Sequence, residues 1–501
     1  MQISTLEYLE RTVSLFPEKI AIIDKYGSLS FKELQLFSKK VASSIINQNI
    51  QKQPIVVLIP KDRNSIISFL GINYSGNFYI PVDINSPTSR INNILQTLKA
   101  KVIITTKELK PKFEDIHIET IFTIDELIDK SIEIKEINYP KIIDTDPVYS
   151  IFTSGSTGIP KGVTISHKSV IDYIDWAIDT FEISSEEVIG NQAPFYFDNS
   201  VLDIYLMLST GASLVLVPES MYAFPAKLID YMNEHKVNFV FWVPFVLMHI
   251  ANLDIFKQKK LLYIKKVLFA GEVMPNKHLN YWRKHYPDCL YANLYGPTEI
   301  TVDCTYYIVK RNFDDNEVLP IGFPCRNSDV LILDEQDRLA DNGKTGELCV
   351  RGSSLALGYY GNWEKTQNAF VQNPLNPHYP ELIYKTGDLA YKNEYDEIIF
   401  VGRKDSQIKH NGYRIELGEI ENAALATNLI KTTCATYDNQ NKRIVLFYEG
   451  DAEVSLSEMR QKMLKIIPKY MIPSTFKKIE KMPLNSSGKV DRKFLNTLVC
   501  S

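Results

Sequence analysis

From Tyr149 the chain runs Tyr-Ser-Ile-Phe-Thr-Ser-Gly-Ser-Thr-Gly-Ile-Pro-Lys-Gly. Pro147 to Phe152 alternates side chains in the manner of a strand and is rich in β-formers. Beyond it, Gly155 and Gly158 remove the side chains that would hold a ligand off the backbone. Thr153, Ser154, Ser156 and Thr157 add hydroxyl donors, and Lys161 adds a positive charge. Successive backbone N–H groups with hydroxyls and a lysine make a concave site for anions, above all polyphosphates. The spacing is not that of the common P-loop, because Lys161 is followed by Gly162. Clusters of Gly, Ser and Thr also mark ordinary turns, so the loop alone leaves both readings open.

Four further motifs accompany it: Asn-Leu-Tyr-Gly-Pro-Thr-Glu (293–299), Tyr-Lys-Thr-Gly-Asp (384–388), the run 402–421 that opens Gly-Arg-Lys-Asp-Ser-Gln, and Asn-Ser-Ser-Gly-Lys-Val-Asp-Arg (485–492). In this order the set resembles the adenylate-forming superfamily, and within it the amino-acid adenylation domains of nonribosomal peptide synthetases and the D-alanine–carrier-protein ligases. The resemblance spans nearly the whole chain. It implies activation of a carboxylate by ATP to an acyl-AMP with release of pyrophosphate, then transfer to a thiol. Such activation needs a phosphate cradle, a cation, a nucleoside clamp and a group that neutralises the reacting oxygens.

The resemblance distributes these roles. The loop 153–161 (Thr153, Ser154, Gly155, Ser156, Thr157, Gly158, Lys161) holds the β- and γ-phosphates. Tyr295 offers a flat face to the purine, Asn293 reads the adenine edge, Thr298 meets the α-phosphate, and Glu299 supplies a hard oxygen for Mg²⁺. Asp388 holds the ribose hydroxyls with Arg403, and Asp405 is the hinge. Lys489 is the catalytic lysine, swung in by a mobile domain to stabilise charge on the carboxylate and α-phosphate. Lys409, Gly412 and Tyr413 line the acceptor-thiol tunnel after rotation. Taken singly, a Gly-Pro turn, a Thr-Gly-Asp or a Gly-Lys in a loop is equally an ordinary turn; their order gives them weight.

The segment Ala193-Pro-Phe-Tyr-Phe-Asp-Asn-Ser-Val-Leu-Asp-Ile-Tyr resembles the adenylation-domain stretch whose aspartate, here Asp198, pairs with the α-ammonium of an amino acid. The resemblance carries the rest of the pocket to Asn199, Leu202, Phe241, Leu268, Ala270, Leu294, Val302 and Asp303, with Trp242 the alternative to Phe241. Most of these are apolar, and a second carboxylate among them is costly unless it meets a donor. Asp303 with Asn199 therefore points to a polar substrate side chain, hydroxyl or amine, with serine ahead of ornithine. The alternative is that Asp303 pairs with a protein group. Leu268-Phe-Ala-Gly-Glu-Val-Met-Pro is closest to the D-alanine–carrier ligases, which carry a cysteine where this chain has Ala270; D-alanine remains a competitor.

The elements that must position these residues alternate strand and helix over the first four hundred positions. Lys19–Asp24, Ile55–Ile59 and Val102–Thr105 read as strands. Ser30-Phe-Lys-Glu33 is a capping box, and Leu34, Phe37, Val41 and Ile45 share one face of the helix behind it. Such alternation predicts an α/β fold with largely parallel sheets. From about Val318, Gly-punctuated strands (Val330–Leu333, Gly346–Arg351) predict a smaller β-rich subdomain, followed by a strand over Glu397–Val401 and a polar stretch at Arg403-Lys-Asp. The expected organisation is a core over 1–402, with two parallel-rich α/β subdomains and the β-rich one, then a hinge and a mobile α+β domain over 403–501.

The 501 residues exceed one ordinary core. Lys plus Arg number 56 against 60 for Asp plus Glu, so no basic excess argues for nucleic acid or an anionic membrane, and any phosphate site must be built locally. Cys289, Cys304, Cys325, Cys349, Cys434 and Cys500 form no CxxC pair, and the eight histidines no His-x3-His pattern; buried thiols in a reducing compartment are expected. Glu7, Glu10 and Arg11 interrupt the apolar residues near Met1, so a signal peptide is not expected there, and with no apolar run of about 18 residues no membrane span is expected. A cytoplasmic ligase using ATP and Mg²⁺ is expected, loading a phosphopantetheinylated carrier protein in trans because no carrier domain follows Cys500. One rival is an acyl-CoA synthetase for a non-amino acid, which has no use for Asp198. The other is a catalytically dead binding protein, for which Lys489 would be superfluous.

Overall fold

The computed structural model describes residues 2–116, 118–129, 138–155, 159–450, 454–484 and 490–499. The chain divides into two compact units, one of residues 1–83, 100–151 and 163–404, the other of 84–99, 152–162 and 405–501.

The first unit holds two parallel-rich sheets. In the nine-stranded sheet, Leu290–Tyr295, Lys266–Phe269, Phe239–Trp242, Val188–Asn191, Ser213–Leu216 and Ile20–Asp24 run parallel in that spatial order. Antiparallel strands close both edges. The seven-stranded sheet is built on Pro147–Thr153, Phe78–Pro81, Pro54–Leu58, Val102–Thr105 and Thr120–Thr123, again parallel. Pro54–Leu58 and Val102–Thr105 are buried at every position, as parallel strands covered on both faces require.

Local chemistry fixes the helices. Ser30 caps Phe31–Ile46: its Oγ accepts from the Glu33 N–H, while the Glu33 carboxylate accepts from the Ser30 N–H at 2.8 Å. Leu34, Val41 and Ile45 are buried on that helix and Phe37 is half-buried, the face expected from spacing. The helix packs on Arg63–Tyr74 at Gly71, where a Cβ would lie 2.6 Å from Val41 Cβ and 2.9 Å from the Ser38 carbonyl oxygen. Alanine normally favours a helix over glycine by ~1 kcal/mol. Here overpacking outweighs that gain, and Gly71→Ala is expected to lower stability by ~1–3 kcal/mol; chemical denaturation, comparing midpoints at constant slope, checks it.

The β-rich subdomain is an antiparallel sheet of Ser328–Leu333, Gly346–Gly352, Leu382–Lys392 and Phe370–Gln372, with Ile398–Arg403 also on Leu382–Lys392. The second unit contains the hairpin Gln407–His410/Tyr413–Glu416 and a three-stranded sheet of Thr432–Asp438, Arg443–Glu449 and Thr475–Lys478. Helices Leu417–Leu425, Leu456–Met463 and Arg492–Thr497 accompany them, an α+β arrangement with its own core around Ile415, Ile420, Leu446 and Met463. No helix among the described residues is long and apolar enough to cross a membrane.

Candidate active site

Phe239–Trp242, Lys266–Phe269 and Leu290–Tyr295 lie side by side, with Phe241, Leu268 and Ala292 in one row and Trp242, Phe269 and Asn293 in the next. Side chains alternate between faces along a strand, so adjacent rows point to opposite sides. Phe241 and Leu268 join one buried cluster with Leu202, Ala270, Leu294 and Val302. Trp242 belongs to the cluster on the other face, and its indole N–H donates to the Gly190 carbonyl at 2.8 Å. Phe241, and not Trp242, therefore shares a face with the other apolar pocket candidates. Phe241, Leu268 and Leu294 lie near the carboxyl ends of parallel strands, Ala270 and Val302 on the loops that follow, where open α/β sheets bind ligands, and Leu202 on the helix Asn199–Thr210.

After Tyr295 the chain makes a turn that only glycine permits. A Cβ on Gly296 would sit 2.3 Å from the Val302 carbonyl oxygen and 2.5 Å from Asp303 Cα, so the backbone folds directly back onto the Gly-Pro-Thr-Glu turn. Thr301 and Val302 take the left-handed region (φ 60° and 71°), unusual for β-branched residues and a local strain. Backbone bonds from Cys304 N–H to the Tyr295 carbonyl (2.8 Å) and from Asp303 N–H to the Thr301 carbonyl (3.0 Å) hold it. Thr298 and Glu299 are buried in the short 3-10 turn that results. The fully buried Glu299 carboxylate accepts from the Tyr359 hydroxyl at 2.8 Å.

Asp388 and Arg403 face each other across antiparallel strands. The Arg403 guanidinium donates to Asp388 Oδ1 at 2.6 Å, and the Tyr295 hydroxyl donates to Asp388 Oδ2. Burial first, then the Asp388 charge, holds the Tyr295 hydroxyl well above its ordinary pKa, so it stays a donor. Arg403 thus ends a strand, Ile398–Arg403, where the sequence suggested a polar stretch; its ion pair with Asp388 replaces solvation. The Asn293 amide donates to the Pro320 carbonyl at 2.8 Å.

Asp198 occupies the first-cap position of the helix Asn199–Thr210, yet its side chain makes no capping bond. Its charge is one of the influences that push the hydroxyls of Tyr149 and Tyr173 upward, after burial as the main cause. Next to it, the Asn199 amide nitrogen is buried with no hydrogen-bond partner among the described residues. Asp303 is 2% exposed and accepts from the Tyr173 hydroxyl at 2.7 Å. A protein donor thus already meets the need that sequence reasoning had assigned to a substrate side chain.

In the second unit, Thr153 ends the strand Pro147–Thr153 with its hydroxyl buried and without a hydrogen-bond partner among the described residues. The Ser154 hydroxyl donates to the Arg414 carbonyl at 2.9 Å. A Cβ on Gly155 would meet the Ile159 carbonyl oxygen at 2.2 Å, so the loop closes on itself there. Lys161 opens the next strand. Asp405 accepts from the Gln407 N–H at 3.1 Å. Lys409 pairs with Arg414 in the hairpin whose turn holds Gly412 at φ 84°, and Tyr413 stacks on Tyr470 with ring centres 3.8 Å apart. Ser156, Thr157, Gly158 and Lys489 lie outside the described residues.

Sequence reasoning missed Tyr173, Tyr359 and Tyr149. Tyr173 reads in the sequence as an apolar-face position of the helix His167–Phe181, and nothing local marks its distant partner.

The family model described as AMP-binding enzyme matches residues 9–360. The chain belongs to the AMP-binding enzyme family. It is 33% identical over 98% of its length to zwittermicin A synthase ZmaJ of Bacillus cereus, covering 94% of that protein. It is 32% identical to the D-alanine–D-alanyl carrier protein ligase of Bacillus cytotoxicus, covering 98% of each chain. Among solved structures, o-succinylbenzoate CoA synthetase of Bacillus subtilis superposes with a TM-score of 0.87 at 20% identity, over 99% of this chain and 98% of that one; at that identity it shows the fold alone. The chain is thus an adenylate-forming ligase of the nonribosomal-peptide-synthetase adenylation type, acting on a carboxylic or amino acid.

Proposed function

We propose that this chain activates an amino acid with ATP to aminoacyl-AMP and pyrophosphate, and then passes the aminoacyl group to the phosphopantetheine thiol of a separate carrier protein. The observation that carries the reading is Asp198: a carboxylate that does not cap its own helix, at the start of the element that brings Leu202 to the apolar face of Phe241, Leu268 and Ala270. An apolar acyl group gains nothing from a carboxylate there, whereas an α-ammonium needs one. The similarity to a carrier-protein ligase over nearly the whole of both chains supports the second half-reaction.

In this reading Tyr295, Asn293, Asp388 and Arg403 hold the nucleoside, with the Tyr295 and Arg403 donors fixing the carboxylate of Asp388 toward the ribose. Thr153, Ser154, Gly155, Ser156, Thr157, Gly158 and Lys161 take the phosphates. Residues 403–501, with Asp405 as hinge, deliver Lys489 for adenylation and withdraw it for thiolation. No group of three or more His, Cys, Asp or Glu side chains among the described residues could hold a metal alone, but Mg²⁺ commonly binds through one carboxylate and the substrate's phosphates. Glu299 fits that role, with Thr298 beside it, and the ion would neutralise phosphate charge.

ATP–pyrophosphate exchange across the common L- and D-amino acids, with fatty and aryl acids alongside, tests the reading. Amino-acid-dependent exchange is expected; exchange only with a fatty or aryl acid would replace it by an acyl-CoA synthetase. Glu299→Gln keeps the Tyr359 hydrogen bond but removes the charge. It is expected to raise the Mg²⁺ concentration needed for half-maximal exchange by about tenfold, the order of a single charge-assisted contact, as a Mg²⁺ titration at fixed ATP would read.

A further inference from the structure

A buried ion pair in the second unit lies beside the loop that begins at Thr153. The Arg90 guanidinium, on the helix Thr88–Leu98, donates to Glu419 Oε1 in the first turn of Leu417–Leu425, and both side chains are buried. The other carboxylate oxygen, Glu419 Oε2, is buried without a hydrogen-bond partner among the described residues. Burial raises the pKa of this carboxyl, while the Arg90 charge and the Gly155 N–H act against it. Earlier on the same segment, the Arg414 carbonyl accepts from the Ser154 hydroxyl at 2.9 Å. The segment 414–419 thus meets two successive members of the loop. The helix Thr88–Leu98 is tied down a second time, by the Ser89 hydroxyl donating to the Lys465 carbonyl at 2.8 Å. A buried ion pair adds little net stability against its desolvation cost; its best-attested use is to select one arrangement over another.

We propose that Glu419, anchored by Arg90, is an internal competitor for the phosphate loop: its carboxylate supplies the negative charge there when no triphosphate is bound, and a triphosphate displaces it. This inference rests on the reading of 153–161 as the phosphate cradle, and not on which acid is activated. The competition follows from counting donors. Ser154 has one hydroxyl proton, and Arg414 holds it. A β- or γ-phosphate that takes this proton and the Gly155 N–H removes them from Arg414 and Glu419. Two anions at one loop also repel, the more strongly where water is excluded. AMP lacks the β- and γ-phosphates and makes no such demand. Pyrophosphate must therefore leave before the segment 414–419 settles on the loop. The hairpin Gln407–His410/Tyr413–Glu416 runs directly into Leu417–Leu425 and settles with it. Glu419 is a positioning residue for the step after adenylation, and Arg90 acts through it.

Arg90→Met combined with Glu419→Gln removes both charges, so no uncompensated guanidinium is left to attract phosphate. Calorimetry at fixed Mg²⁺, with no acid substrate present, should show this variant binding ATP at least fivefold more tightly than wild type, with AMP affinity within twofold. A fivefold gain corresponds to a loop free of Glu419 in about one fifth of wild-type molecules. Loss of a merely structural contact would not tighten ATP. ATP affinity that stays within twofold of wild type, or weakens, with AMP affinity unchanged overturns the competition. A second measurement uses the wild-type protein and so does not depend on the variant folding. ATP, compared with AMP, should speed amide hydrogen exchange over 88–92 and 413–420 at least threefold; equal exchange with the two nucleotides overturns the proposal. Thr153→Val that leaves ATP affinity unchanged would overturn instead the phosphate-loop reading beneath it.

Discussion

Lys489→Ala is expected to slow adenylation by two to three orders of magnitude while thiolation from preformed aminoacyl-AMP changes little. The lysine stands in Asn-Ser-Ser-Gly-Lys-Val-Asp-Arg (485–492), in the segment read as the mobile domain. One preorganised charge aimed at oxygens that gain charge in the transition state commonly contributes ~3–4 kcal/mol. A group delivered only for the first half-reaction contributes nothing to the second. Single-turnover measurement of the two half-reactions separates them: pyrophosphate exchange for the first, carrier-protein loading from synthetic aminoacyl-AMP for the second. Equal losses in both would sink the domain-alternation reading and leave adenylation itself standing.

Asp198→Ala should abolish amino-acid activation while nucleotide affinity stays near normal. Removing one member of a desolvated charge pair typically costs ~3–5 kcal/mol, because the other charge is left uncompensated, which corresponds to more than a hundredfold in kcat/KM. The nucleotide candidates Tyr295, Asp388 and Arg403 bond to one another, so the loss should fall on the amino acid. Exchange kinetics beside calorimetric ATP binding test the split. Undiminished exchange with amino acids would remove the reason for preferring them over simple carboxylic acids.

Much of this molecule was legible before folding because the signals were local. The capping box at Ser30 and Glu33 closes within one helical turn. Val102–Thr105 forms a strand with the bounds its apolar run suggests, since a parallel strand covered on both faces needs every residue apolar or paired. The Gly-Pro-Thr-Glu turn follows its strand as read, because the sequence itself carries the glycine that the close approach at Val302 requires.

What folding alone decided involves partners far apart in the chain. Whether Phe241 or Trp242 faces the apolar pocket candidates depends on which side of the sheet each row of side chains takes, and a shift of one residue in register would exchange them. Arg403 became part of a strand because Asp388, across the ladder, gave its charge a buried partner. Tyr295 reads as a flat face for a base, yet its hydroxyl bonds to Asp388, 93 residues on. Above all, Asp303 has its donor in Tyr173, 130 residues away on a helix whose sequence shows only an apolar face. Composition and motif order determined the family and the class of reaction, because backbone loops that bind nucleotides are encoded in a few adjacent residues. The polarity of the acid pocket belongs to the tertiary structure, because a buried hydrogen bond is a property of two positions and is written at neither of them alone.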